Sequence, residues 1–358
     1  MTDVDRRTLL KAGLAATGGL ALGLGSGAAS PASAAPRIDR TLAKGLGVPW
    51  GMAFLPSGNA LVGERDSGDL HVVKRGGGRH RVGHLDAFSQ VSSAGESGLL
   101  GLALHPGFST NRWVYAYLST SHDNRIVRVR YTASGFGKRE LVLGGIPMNL
   151  HHNGGGLAFG PDGLLYASTG DGEVGDRAQS RTSLGGKVLR LTPEGGVPAG
   201  NPFGNHVWSM GHRNVEGITF DRRGTLWASE FGEKETDELN QIVRGANYGW
   251  PLVEGGDGNG GFRDPLAEWS PTSTCSPAGI AVAHSRAWLG ALRGECLYSV
   301  LLRGPDAGRK RRHFAGRFGR LRQVKRAPDG SLWITTSNRD GRASPGPGDD
   351  RVIRVSLG

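Results

Sequence analysis

The sequence predicts an all-β fold, a six-bladed β-propeller with four-stranded antiparallel blades. Three observations carry that expectation. A unit of apolar strand, Pro/Asp/Gly turn and second apolar strand recurs six times. Glycine supplies 61 of 358 residues, more than twice ordinary usage, and follows no triplet period. Residues 37–45 and 351–357 each read as a lone strand, so the two ends of the mature chain can pair and close a ring.

In chain order, the first segment reads as a targeting signal. Arg6-Arg7 precedes Thr8-Leu9-Leu10-Lys11, an apolar Gly/Ala-rich run spans 12–29, and Ala32-Ser33-Ala34 is a small-x-small cleavage site. Residues 1–34 are therefore expected to be a twin-arginine-type signal peptide, and 35–358 a single propeller domain exported in the folded state to an extracellular or periplasmic location. No other stretch is long and apolar enough to span a membrane. The repeats follow at 52–64, 102–119, 157–171, 218–232, a divergent 280–300, and 324–338. Six of them leave about 50 residues per unit, which suits propeller blades. A β-sandwich with coincidental hairpins would not show such self-similarity.

The net charge is +11, but the cations are dispersed except for Arg309-Lys310-Arg311-Arg312, so a solvated basic surface is expected rather than nucleic-acid binding. The two cysteines, Cys275 and Cys296, fit no metal motif; in an exported chain they are either a disulfide or two buried thiols. No long apolar stripe demands an obligate partner, which leaves a monomer or a homodimer.

In a propeller, loops at one mouth of the channel converge, so residues that follow strands in different blades can share a site. The stretch Leu150 to Gly172 is the richest candidate. His151 and His152 stand on a loop beside Asn153 and three glycines, an arrangement that suits close approach of backbone to a flat ligand. Asp171 is expected to end the second strand of the following hairpin. Glu96 precedes a strand; His212, Arg213, Asn214 and Glu216 precede another; acids gather at 230–238; and Arg320 and Arg322, at i and i+2, point to one side of an extended segment.

With these residues in view, the mature chain resembles the soluble pyrroloquinoline-quinone (PQQ)-dependent sugar dehydrogenases, the glucose/sorbosone and aldose sugar dehydrogenases. The resemblance rests on GESGLLGLALHP, HHNGGGLAFGPDG, GHRNVEGITF, TDELNQIVRGANYGWP and FGRLRQVKRAPDG, in that order. It implies a six-bladed propeller that oxidises the anomeric C1 of an aldose to a lactone, hydride passing to PQQ and electrons then to an external acceptor. It implies His152 as general base, a task that suits an imidazole, with Asp171 orienting its ring. Arg213 would polarise the reacting quinone carbonyl. Asn214, Arg293, Arg320 and Arg322 would contact the cofactor, arginine being suited to carboxylates. A calcium ion would be held at Gly232 and Glu233, and a second, structural one at Glu238 and Tyr248.

The chain departs from the family pattern at four of these positions. Arg293 stands where lysine is common, His151 where some members have aspartate, and Glu96 and Glu216 where glutamine contacts base or substrate. These changes point to the broader aldose branch. Two other functions fit a propeller: a calcium-dependent lactonase, which a carboxylate-lined site without the arginines would favour, and a non-catalytic sugar-binding module, which loss of the base histidine would favour.

Overall fold

The computed structural model describes residues 35–89, 95–256, 258 and 260–358, and residues 35–358 form one compact unit. The expected signal peptide lies outside the described residues. Six antiparallel sheets follow one another along the chain. Blade one runs from Pro49–Phe54 to Arg79–His84, blade two from Leu99–Leu104 to Glu140–Ile146, and blade three from Leu157–Phe159 to Val207–Met210. Blade four runs from Asn214–Phe220 to Ala267–Trp269 and blade five from Pro277–Ala283 to Lys310–His313. Blade six takes three strands, Leu321–Arg326, Leu332–Thr336 and Val352–Ser356, and completes itself with Arg37–Ala43 from the other end of the chain. That last pairing sets Ile38 opposite Val355 and Thr41 opposite Ile353, which closes the ring as the sequence predicts. Each blade is four-stranded, with one extra two-residue strand, Gly135–Phe136, beside blade two. Helix among the described residues is limited to the single turn Phe108–Asn111 and two 3₁₀ turns.

The first strand of each blade is the inner one, and these six strands pack against one another around the channel. Glycine occupies the corresponding place in five blades, within the inner strand at Gly51, Gly101, Gly217 and Gly279 and immediately before it at Gly156. A Cβ at any of these would run into the inner strand of the next blade: Leu100 O for Gly51, Gly155 O for Gly101, Ile218 N for Gly156, Ala278 O for Gly217 and Gln323 for Gly279. The sixth blade has Gln323 there, and its amide reaches across to Trp50 O at 3.1 Å. Absent side chains thus allow backbones to converge.

This corrects one expectation. Gly154, Gly155 and Gly156 do not make room for a ligand; they face Thr169, Leu100 and Ile218 of the protein itself. The hairpin strand before Asp171 also stops earlier than expected, at Ser168.

The core lies between blades. Tyr115, Tyr117, Leu157, Leu165, Leu189 and Val207 form one such layer between blades two and three. Each fully buried side chain of this kind is worth about 1.5–3 kcal/mol against exposure. Cys275 and Cys296 are both free and buried in the layer between blades four and five. The basic run lies in the exposed outer strand of blade five, a solvated face.

Candidate active site

The loop before the inner strand of blade three is fixed by amides. Asn153 Oδ1 accepts from Asn124 Nδ2 at 2.9 Å and from the Asn149 amide at 3.2 Å, while Tyr117 donates its hydroxyl to Asn153 O at 2.9 Å. Next to this anchor His152 adopts φ 56°, a left-handed conformation that histidine tolerates better than most residues. Gly170 lies against His152 O so closely that a Cβ there would collide with it. The His152 amide donates to Glu96 Oε2 at 3.1 Å. The loop therefore holds the imidazole from both sides of the backbone.

His152 Nδ1 lies 2.7 Å from Asp171 Oδ1. Asp171 is buried, and its other oxygen accepts the Trp250 indole N–H at 2.8 Å; the Glu173 amide adds a third donor at 2.8 Å. Burial works against the charge of this carboxylate, but the bond to His152 and the two N–H donors outweigh it and hold its pKa below the ordinary value. An ionised Asp171 accepts from Nδ1, so in the neutral ring Nδ1 carries the proton and Nε2 keeps its lone pair. The ring lines a cavity and is 17 % exposed.

That cavity has a volume of about 330 Å³. Five guanidinium groups line it: Arg213, Arg293, Arg320, Arg322 and Arg342. Three are matched by carboxylates. Arg320 pairs with Asp340 at 2.9 Å, Arg322 with Glu216 at 2.9 Å and Arg342 with Glu96 at 3.4 Å. Burial depresses the Arg320 pKa against the pull of Asp340. Burial raises Glu216 to about 7, against Arg322 and with the help of Glu96. Arg213 and Arg293 have no ion pair among the described residues. The Arg213 guanidinium lies 5.3 Å from the Trp250 ring centroid and donates from Nη1 to Gly232 O at 2.6 Å, and its buried Nε has no partner among the described residues. Its backbone amide is held by Glu230 Oε1 at 2.6 Å.

Most residues singled out from the sequence therefore meet. Glu96, His151, His152, Arg213, Asn214, Gly232, Glu233, Arg293, Arg320 and Arg322 line one cavity, with Asp171 behind His152 and Glu216 behind Arg322. A second, more open cavity of about 690 Å³ is lined by His152, Glu173, Asp176, Arg213, Glu233 and Trp250, among others. Glu238 and Tyr248 stand apart, inside blade four. Glu238 accepts from Asn240 Nδ2 and the Gly255 amide, both at 2.8 Å, and burial together with Glu230 raises it to about 8. Tyr248 donates to Gln241 O and stacks on His212. The buried Asn240 Oδ1 beside Glu238 has no partner.

Sequence reasoning gave no role to Trp250, Asp340 or Arg342, and counted Asp237 only as one of the acids gathered at 230–238. Trp250 lies inside a quoted motif, but nothing local marks its indole as the partner of a residue 79 positions away. Asp237 holds the Gly232 and Ser276 amides at 3.1 and 2.7 Å, and burial lifts it to about 7.

The fold and this cavity place the chain in a known class. The family model described as Glucose / Sorbosone dehydrogenase matches residues 46–345, and the chain belongs to that family of sugar dehydrogenases. The PQQ-bound aldose sugar dehydrogenase of Streptomyces coelicolor is 44 % identical, with a TM-score of 0.86 over 90 % of this chain and 98 % of that one. Aldose sugar dehydrogenase YliI of Escherichia coli is 28 % identical over 82 % of this chain and 88 % of its own length. Quinoprotein glucose dehydrogenase B of Acinetobacter calcoaceticus is 29 % identical over 70 % of this chain and 62 % of its own length.

Proposed function

We propose that this protein is an exported quinoprotein that oxidises the anomeric carbon of aldoses to lactones and passes the electrons to an external acceptor. The observation that carries the reading is the meeting, in one cavity, of an oriented imidazole and guanidinium groups unmatched by carboxylates. A flat tricarboxylate needs such cations. Arg213, whose Nε has no partner among the described residues, and Arg293, which makes no close ion pair among them and faces Asp237, answer that need, while Arg320, Arg322 and Asn214 complete the wall. PQQ, when bound, supplies the two-electron oxidant that takes the hydrogen from C1.

The chain's own residues do the rest. His152 Nε2 takes the proton of the anomeric hydroxyl, because Asp171 holds the other nitrogen protonated. Asp171 also stabilises the imidazolium that forms. Arg213 places positive charge on the cavity wall where negative charge develops, and Trp250 holds its guanidinium in place. Glu96 ties the His152 backbone to Arg342. Glu96 offers a carboxylate to sugar hydroxyls at the cavity wall, whereas Glu216, expected from the sequence to do the same, is buried behind Arg322 and acts through that guanidinium.

Calcium suits two places in this reading. Gly232 and Glu233 would present backbone oxygens at the cavity, and Glu238 with Tyr248 would form a second, structural site, where the unpartnered Asn240 Oδ1 is a ready oxygen ligand. Arg6-Arg7 and the apolar run behind it support the twin-arginine route out of the cytoplasm.

The test is reconstitution of the mature protein, purified without cofactor. Calcium and PQQ are added, and dye reduction is followed with a panel of aldoses beside a His152→Ala control. Reduction that needs both additions and is lost in the control supports the reading. A wild-type protein that gains no activity from PQQ overturns it and moves lactone hydrolysis to the front.

A further inference from the structure

Residues 231–236 form the wall that joins the second and third strands of blade four, and their amides are disposed in an unusual way. The Gly232 amide donates to Asp237 Oδ1 at 3.1 Å. The next four amides, of Glu233, Lys234, Glu235 and Thr236, all donate to one atom, Glu254 Oε1, at 2.7, 3.0, 3.0 and 3.0 Å. One carboxylate oxygen thus collects four consecutive N–H groups, an anion nest filled by the protein's own side chain.

The geometry has a consequence for the carbonyls. A trans peptide is planar, with C=O and N–H pointing in opposite directions. Turning the Glu233 amide toward Glu254 turns Gly232 O away from it, and that oxygen is the one that meets Arg213 Nη1 at 2.6 Å. Turning the Lys234 amide the same way likewise aims Glu233 O away from Glu254. Gly232 is packed tightly against this carboxylate, since a Cβ there would strike both Thr236 O and Glu254 Oε1.

We propose that Glu254 is a positioning residue for the cofactor site: it sets the two peptide planes whose carbonyls, Gly232 O and Glu233 O, serve as oxygen ligands for the cation. It does so from outside, since Glu254 is not among the residues that line the cavity. This rests on the function proposed above. It adds a requirement that the first set of ligands cannot meet alone, because a backbone carbonyl has no rotamer of its own and points where its peptide plane points. The same excursion of blade four carries Trp250, which holds Asp171 and Arg213, so one segment steadies both the base and the cation wall.

The experiment compares wild type, Glu254→Gln and Glu254→Asp as apoproteins. Amide exchange across 233–236 reads the nest directly, thermal melting checks the fold, and titration with PQQ in the presence of calcium reads the site without turnover. Loss of the charge in Glu254→Gln is expected to speed exchange of these amides, with the melting temperature changed little. PQQ affinity should fall about 10- to 100-fold, as for other outer partners of metal ligands. The shorter Glu254→Asp should not restore it. Exchange at the wild-type rate overturns the nest. Faster exchange with unchanged PQQ affinity overturns the positioning role. Wild-type protein that takes up no PQQ fails at the first comparison, before any variant, and that result overturns the proposed function and this inference with it.

Discussion

His152 with Asp171 and His212 with Glu230 are two pairs built from the same parts. Each places Nδ1 against a buried carboxylate, at 2.7 and 2.8 Å. They differ in what happens to the other nitrogen. His212 is fully buried, bonds Ser209 Oγ through Nε2 at 2.9 Å and lies flat on Tyr248 at 4.4 Å. His152 lines the cavity, and no protein group among the described residues claims its Nε2. The difference teaches that a carboxylate alone does not make a base. The pair becomes chemistry where one nitrogen is left open, and scaffold where both are used. Glu230 shows the second role well, since it also holds the Arg213 amide and Asn240.

Four measurements break or sharpen this comparison. The largest effect is expected from His152→Ala, which should lower reconstituted dye reduction about 10³- to 10⁴-fold, the upper range for loss of a general base. Thermal melting should change little. His212→Ala should do the reverse, with a clear drop in melting temperature. Equal loss of turnover in the two variants would erase the distinction.

Asp171→Asn should lower turnover about 100-fold or more, because the imidazole loses both its tautomer preference and its counter-charge. The tautomer preference of the His152 ring, read by nitrogen NMR in the apoprotein, should also be lost. A wild-type tautomer signal would show that the carboxylate acts elsewhere.

Glu230→Ala removes one member of a buried, hydrogen-bonded set and should cost about 3–5 kcal/mol of stability, read from denaturant melts. Part of the turnover loss should follow through Arg213, whose amide it holds.

The smallest effects lie in pH dependence, and the signs are opposite at two carboxylates. The Asp171 pKa is depressed, so its contribution to stability is present above the ordinary aspartate value and is lost as pH falls through the lower folded value. The stability difference between wild type and Asp171→Asn should therefore close in acid. Glu216 is raised to about 7, so its contribution is present below the ordinary glutamate value and is lost as pH rises through about 7. Glu216→Gln should flatten the decline in stability between pH 5 and 8 by about 2–3 kcal/mol, one pKa unit being worth 1.36 kcal/mol. A decline of the same size in the variant would place the titrating group elsewhere.

Much of this was legible in the chain because the signals are local. Strand alternation and Pro/Asp/Gly turns act over a few residues, so six repeats gave six blades, and the two lone end strands closed on each other. The motifs around His152, Arg213 and Arg322 named residues that do meet. The glycine run was read for the wrong reason. Gly156 is one of five glycines within or just before the inner strands that let neighbouring blades touch, a role visible only when the next blade is in place.

What the sequence determined by itself, then, is the propeller and the cast of polar side chains at its loops, since periodicity and turn chemistry are properties of short segments. Which histidine is open, which arginines are already matched, and which carboxylate orders the wall were decided by tertiary structure. Arg322 finds Glu216 across 106 residues and Trp250 finds Asp171 across 79. Pairings of that kind depend on how blades are set around the channel, and so does the burial that works against the charge of both Asp171 and Glu216, which the hydrogen bonds to Asp171 outweigh and the partners of Glu216 do not.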